Sequence, residues 1–248
     1  MALPLLLTIP MAGGRGQGGI VTITFDDGYE NVYKYAYPLM KSYSYRGVVF
    51  MVAGRIGGLH GGYQLMDVGE LSELAGEGWD ICSHTVSHPH LDMVSPERLR
   101  YELEASRMIL SGVGFQPAAV AYPGGAYNRD VVVEASKYYY FGRTLEPGIN
   151  MPRMSLELKA VVLQEDNTEY VEWWIEEASR SGGWLIIVLH GVVPDGEELP
   201  PPVMGWNHVG SLARILEAIR ERGLTVLTFT DVLEMVQPTD MPCCRVGL

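Results

Sequence analysis

Short apolar runs alternate along the chain with longer stretches of helical spacing. "GIVTITF" (19–25), "GVVFMV" (47–52), "WDICS" (79–83), "AAVAY" (118–122), "YYYFGR" (138–143), "LKAVVL" (158–163), "GWLIIVL" (183–189) and "LTVLTF" (224–229) read as strands. Between them, helical patterns cover Tyr29 to Ser42, a segment up to Glu77 opened by Asp67 with Glu70 three residues on, and a longer one opened by Ser95 and Pro96. Further helices are predicted over Arg129–Lys137, Thr168–Arg180, Val209–Arg222 and from Asp231. Strands that alternate with helices of this length imply βαβ units and a parallel sheet. The expectation is an α/β fold: a single distorted (β/α) barrel with about seven or eight parallel strands. It fills 1–248, with 1–19 as an N-terminal arm and 238–248 as a C-terminal tail. "PDGEELPPP" (194–202) is a surface loop, because a further strand and two helices follow it.

Composition narrows the partners. Asp and Glu number 30 against 18 Lys and Arg, a net charge of −12, and no basic cluster occurs. A phosphate-backbone partner is therefore excluded, since such affinity comes from grouped cations. Cys82 stands alone and Cys243–Cys244 has no spaced partner pair, so neither a disulfide framework nor a thiolate metal site is expected. "MALPLLLTIPMAGG" is apolar but holds two prolines and no leading Lys or Arg, which favours an arm over a cleaved leader. No run reaches transmembrane length, and cytoplasm and cell envelope both stay open as locations.

Candidate chemistry falls at one end of the predicted barrel. In this architecture the site is built by loops at the carboxyl ends of the strands. Asp26 and Asp27 follow the first strand, "SHTVSHPH" the third, "YPGGAYN" the fourth, and His190 ends "GWLIIVL". His84 and His88 are four apart, so one helical turn would bring both imidazoles to one side. With a carboxylate they make a two-His, one-Asp set that leaves coordination positions for water. His60 and His90 read as loop histidines, and Trp173 and Trp174 as packing residues.

"TFDDG" (24–28), "HTVSHP" (84–89), "YPGG" (122–125) and "LIIVLHG" (185–191) together resemble the motifs of the polysaccharide deacetylase family, the NodB-homology domain or carbohydrate esterase family four. The resemblance implies a hydrolase that removes N- or O-linked acetyl groups from a carbohydrate of chitin-oligomer, peptidoglycan or xylan type. It implies one divalent metal, zinc foremost with cobalt, nickel or manganese as alternatives, held by Asp27, His84 and His88. Asp26 would be the general base, His190 the general acid and the Gly124 amide an oxyanion donor.

The chain departs from the family pattern where an Arg usually precedes the motif proline by two residues, since that position is Ala121, and Gly124 replaces the usual aromatic. The family's carboxylate partner for the acid histidine has no clean counterpart; Asp166 is the candidate, with the N-cap of the following helix as its other reading. Tyr122, Trp206 and His208 are expected to tune the site or touch the sugar, an indole offering a broad apolar face. Two other readings fit the same residues: an amidase for a small non-sugar amide, and a carbohydrate-binding domain without catalysis.

Overall fold

The computed structural model describes residues 18–199 and 205–236. The expected arm (but for Gly18 and Gly19), the tail, Cys243, Cys244 and the three successive prolines at 200–202 lie outside the described residues. In chain order the elements are β1 (Ile20–Asp27), α1 (Tyr37–Ser42), β2 (Val48–Met51), β3 (Leu59–His60), β4 (Tyr63–Gln64), α2 (Val68–Gly76), β5 (Asp80–Ser83), α3 (Pro96–Gly112), β6 (Ala119–Ala121) and α4 (Arg129–Ala135). They continue as β7 (Phe141–Arg143), β8 (Ser155–Leu158), β9 (Val161–Val162), α5 (Thr168–Ser181), β10 (Trp184–Leu189), β11 (Val192–Val193), β12 (Asn207–His208), α6 (Val209–Glu221), β13 (Thr225–Val226) and α7 (Phe229–Val236).

The main sheet runs β8-β7-β6-β5-β2-β1-β10-β9, with β13 added against the start of β1. Every pairing in it is parallel. Its two edge strands, β8 and β9, are joined by Lys159 and Ala160 alone. So short a link reaches only about 10 Å, so the sheet must curl until its edges nearly meet. The result is the distorted (β/α) barrel, with a seam at β8 and β9 instead of full closure.

Sequence and structure agree on element type almost throughout, and the exceptions have local causes. The helix predicted from Tyr29 starts as a wide turn over Val32–Ala36, in which the Tyr37 amide reaches the Val32 carbonyl. Pro38 cannot donate to a carbonyl one turn back, and the helix loosens ahead of it. Strand β8, the β3–β4 hairpin and the two-residue strands β11 and β12 were not predicted, all being short and most of them rich in polar residues. Asp67 and Glu70 do form the reciprocal cap of α2, at 2.9 and 3.0 Å.

Period-two alternation sorts the strand residues into two layers. Val21, Ile23 and Phe25 of β1 pack outward under the helices. Inside the barrel, Ile20, Val48, Phe50, Cys82, Ala119, Phe141, Trp184, Ile186 and Val188 form a second core, closed below by Phe229 of α7. The Trp184 indole donates to Thr22 Oγ1 at 2.9 Å, which satisfies a polar pair within that core. Extending these inward phases toward the carboxyl ends reaches Asp26 on β1, His84 after β5, Arg143 on β7 and His190 after β10. The same alternation that packs the interior delivers those four side chains to its mouth.

Candidate active site

Two neighbouring carboxylates meet different surroundings. Asp26 arrives in phase with the inward residues of β1 and is buried. The Arg143 guanidinium, also fully buried, donates to Asp26 Oδ2 while lying over the Phe50 ring at 5.4 Å. The imidazole Nε2 atoms of His84 and His190 stand 3.8 and 4.0 Å from the same oxygen. Burial opposes ionisation of Asp26, but Arg143 and the two histidines outweigh it, and its pKa is lowered.

Asp27 is out of phase and would face the helices if β1 stayed regular. Instead its φ is +69°, in the left-handed region. That conformation costs a non-glycine residue of order 1–3 kcal/mol and persists only where the surroundings enforce it. Among the described residues four non-glycines have positive φ, and three of them, Asp27, Thr85 and His88, belong to this site. The turn brings Asp27 Oδ1 to 3.7 Å from His84 Nε2 and 3.5 Å from His88 Nε2. One ligand atom from each of Asp27, His84 and His88 lies within 4.8 Å of the others. Asp27 Oδ1 is buried without a hydrogen-bond partner. Burial, then the adjacent Asp26 charge, pushes the Asp27 pKa up to about 7.

His84 and His88 converge through a loop, not through the helical turn expected from their spacing. Residues 84–88 hold no helix, and Thr85 and His88 both take left-handed conformations. Glu102 of α3 shapes this loop from beneath, its buried carboxylate accepting from the Val86 and Ser87 amides and the Ser87 hydroxyl at 2.6–2.9 Å. The Thr85 hydroxyl accepts from the His88 amide at 3.0 Å. His84 Nδ1 lies 2.9 Å from the Ala121 carbonyl, which can only accept, so Nδ1 carries the hydrogen and Nε2 turns a lone pair toward Asp27. An orphaned buried carboxylate oxygen, a lone pair fixed toward it and a second imidazole nearby fit a divalent cation.

Two residues were missed from sequence. Arg143 supplies from β7 the cation that Ala121 lacks, and the signal was a charged residue ending an apolar strand in inward phase. His60, read as a loop histidine, sits on the β3–β4 hairpin with Nε2 3.6 Å from Asp27 Oδ1.

Five other expectations need correction. Asp166 is exposed and has no contact with His190, whose Nδ1 lacks any partner; the cap of α5 falls at Asn167. Tyr122 is fully buried and donates to the Leu156 carbonyl at 2.8 Å, so it packs the barrel and touches no ligand. Both ring nitrogens of His208 are engaged, by the Glu197 carbonyl at 2.9 Å and the Glu165 carboxylate at 3.0 Å, which makes it a loop clamp. Trp206 is buried against Tyr29 and Tyr63, with ring centres 5.0 and 4.9 Å away. Its face is covered, although it helps line a groove of about 500 Å³ with Tyr63, Val193, Glu30 and Glu198. Trp173, expected to pack, is instead half exposed on α5. Gly124 is exposed at its turn with φ +62°, the His90 ring covering the place where a Cβ would stand.

A curled parallel barrel with a carboxylate pair and two histidines at its mouth defines a recognised class. The polysaccharide deacetylase family model matches residues 13–141, just over half of the chain, and the protein belongs to that family. YxkH of Bacillus subtilis (strain 168), named as a polysaccharide deacetylase, is 35% identical over 130 residues, which are 52% of this chain and 45% of YxkH. The chain thus spans under half the length of that curated relative. The Streptococcus pyogenes deacetylase PplD, solved in complex with acetate, is 27% identical over 57% of this chain and 63% of its own, with a TM-score of 0.53. The Xyl-CE4 domain of a multidomain xylanase from the hindgut metagenome of Trinervitermes trinervoides shares the fold over 88% of this chain and 91% of its own, at 17% identity and a TM-score of 0.58. Arg143 and His190 lie beyond the stretch the family model covers.

Proposed function

We propose that the chain is a metal-dependent deacetylase that hydrolyses N- or O-acetyl groups on a carbohydrate. Asp27, His84 and His88 would hold the ion, and two imidazoles with one carboxylate suit zinc, with cobalt, nickel or manganese as substitutes. A divalent cation there would lower the pKa of a water from 15.7 towards about 7 and polarise the acyl oxygen. The observation that carries the reading is the unequal treatment of the two carboxylates. Asp26 is kept ionised by Arg143, while Asp27 is left short of a counter-charge.

The chain's own groups then divide the proton work. Asp26 is the base. Its lowered pKa keeps it unprotonated at rest and makes it a weak holder of any proton it takes. His190 is the acid. Burial, joined by Arg143 and opposed by Asp26, lowers its pKa, so it rests neutral. The proton it gives the departing amine or alcohol is therefore one gained during turnover, from Asp26 Oδ2 4.0 Å away. The Gly124 amide is the backbone donor proposed for the developing oxyanion.

Acetate release from N-acetylglucosamine oligomers, acetylated xylan and peptidoglycan fragments, measured with Zn²⁺ or Co²⁺ present and compared with Asp26→Ala, tests this reading. Release by the wild type alone supports it. A protein that holds metal but frees acetate from no glycan would favour the small-amide hydrolase, and one that binds glycan without metal would favour the non-catalytic module.

A further inference from the structure

His60 approaches the site from the β3–β4 hairpin, and its neighbours determine which form of the ring it presents. Arg55 Nη1 lies 2.6 Å from His60 Nδ1. A guanidinium nitrogen has hydrogens to give and no lone pair to receive, so Nδ1 must be the acceptor. The ring is therefore neutral, and its hydrogen sits on Nε2. That is the opposite tautomer from His84, whose Nδ1–H points at the Ala121 carbonyl and whose Nε2 is bare. Two imidazoles thus face Asp27 Oδ1 at nearly equal distances, 3.6 Å for His60 and 3.7 Å for His84. One offers a hydrogen and the other a lone pair.

Among the described residues, none accepts a hydrogen bond from the Nε2–H of His60. At 3.6 Å it is too far from Asp27 Oδ1 to form a hydrogen bond. It cannot ligate a cation in this tautomer, because its lone pair on Nδ1 is taken by Arg55. Its side chain keeps 16% of its surface exposed and its ring centre lies 5.0 Å from that of His88, so it borders the open side of the proposed ion position. A donor beside an acceptor set of two imidazoles and a carboxylate is suited to an oxygen of a bound molecule that carries negative charge.

We propose that His60, held by Arg55 as the Nε2–H tautomer, donates a hydrogen bond to the ligand oxygen at this site, the acyl oxygen as it gains negative charge. Its role as an oxyanion donor rests on the deacetylase reading, whereas the tautomer and the donor contact do not. Asp27 and the two motif histidines hold the ion, and His60 stays outside its ligand shell. Arg55 is a positioning residue, since it acts only through the ring it orients.

Acetate, an anion with two acceptor oxygens, is the probe. Ring ¹⁵N spectra of the metal-free wild type should show His60 protonated at Nε2 and bare at Nδ1. His60→Ala should bind Co²⁺ within threefold of wild type but bind acetate, in the Zn²⁺-loaded protein, about tenfold or more weakly, the loss of a hydrogen bond to a charged group. His60→Gln, whose amide can place an N–H near the same point, should recover much of the acetate affinity. Arg55→Met should free the ring to exchange tautomers, with the Nε2–H signal falling and Co²⁺ affinity rising as Nε2 gains a lone pair. A tenfold loss of Co²⁺ affinity in His60→Ala would make His60 a ligand and overturn the proposal. So would an Nδ1–H signal in the wild type, or unchanged acetate binding in His60→Ala. If these results hold while the wild type frees acetate from no glycan, the donor stands and the deacetylase reading falls.

Discussion

The two sides of the site differ in how the protein handles negative charge. On the Asp26 side, the buried Arg143 guanidinium from β7 holds the carboxylate ionised, with the neutral His190 ring after β10 beside it. On the Asp27 side, three neutral imidazoles, of His60, His84 and His88, face a carboxylate pushed up to about 7. The fold gives one carboxylate a counter-charge and leaves the other to receive one from solution, while each keeps one buried oxygen without a partner. A structure built only for stability would have paired both acids or removed them, since an uncompensated buried charge costs several kcal/mol.

Removing the incomplete side should have the largest effect. His84→Ala with His88→Ala takes away two of three proposed ligands, so elemental analysis should fall from about one metal ion per chain to none, and acetate release should drop by at least about a thousandfold. Arg143→Met attacks the completed side. It strands Asp26 in the barrel, costing about 3–5 kcal/mol in denaturant unfolding. With its counter-charge gone the Asp26 pKa rises, so the acid limb of the pH–rate profile should move to higher pH; Arg143→Lys should recover part of both losses.

Asp27→Asn should sharpen the contrast by making the metal-free protein more stable. The Asp27 pKa is about 7 in the fold against an ordinary carboxylate value near 4 when unfolded. The folded state thus holds the proton more tightly, and metal-free stability is highest below about pH 4 and declines as the pH rises through 7. At pH 7.5 the amide should therefore raise stability by a few kcal/mol while abolishing metal binding. A lower Tm for metal-free Asp27→Asn at that pH would show that the carboxylate is compensated after all.

Smaller effects should follow from the supports. Glu102→Gln keeps the shape of the clamp under residues 86 and 87 but loses its charge, so Co²⁺ affinity should fall about tenfold, as for other groups that orient metal ligands. His208→Gln, in the clamp between Glu165 and Glu197, should change stability by less than about 1 kcal/mol and leave Co²⁺ binding intact.

Strand and helix types were legible because apolar periodicity is a local signal, and β1, β5 and β10 carry it strongly. Asp26, Asp27, His84, His88 and His190 were readable as one group because each sits at or just after a strand end. The way His84 and His88 meet was not readable. A spacing of four fits a helix, but the loop owes its shape to Glu102, which contacts it from another element. Arg143 was hidden for a similar reason, since its role depends on β7 curling round to face β1, a relation between strands far apart in sequence. Asp166 and His208 show the converse error: polar residues near the mouth looked functional, yet one is solvated and the other has both nitrogens occupied by Glu165 and Glu197.

Co²⁺ titration of Asp26→Asn and Asp27→Asn, side by side with wild type, tests the central asymmetry most directly. The account predicts near wild-type affinity for Asp26→Asn and no saturable binding for Asp27→Asn. Equal losses in both variants, or a loss confined to Asp26→Asn, would contradict it.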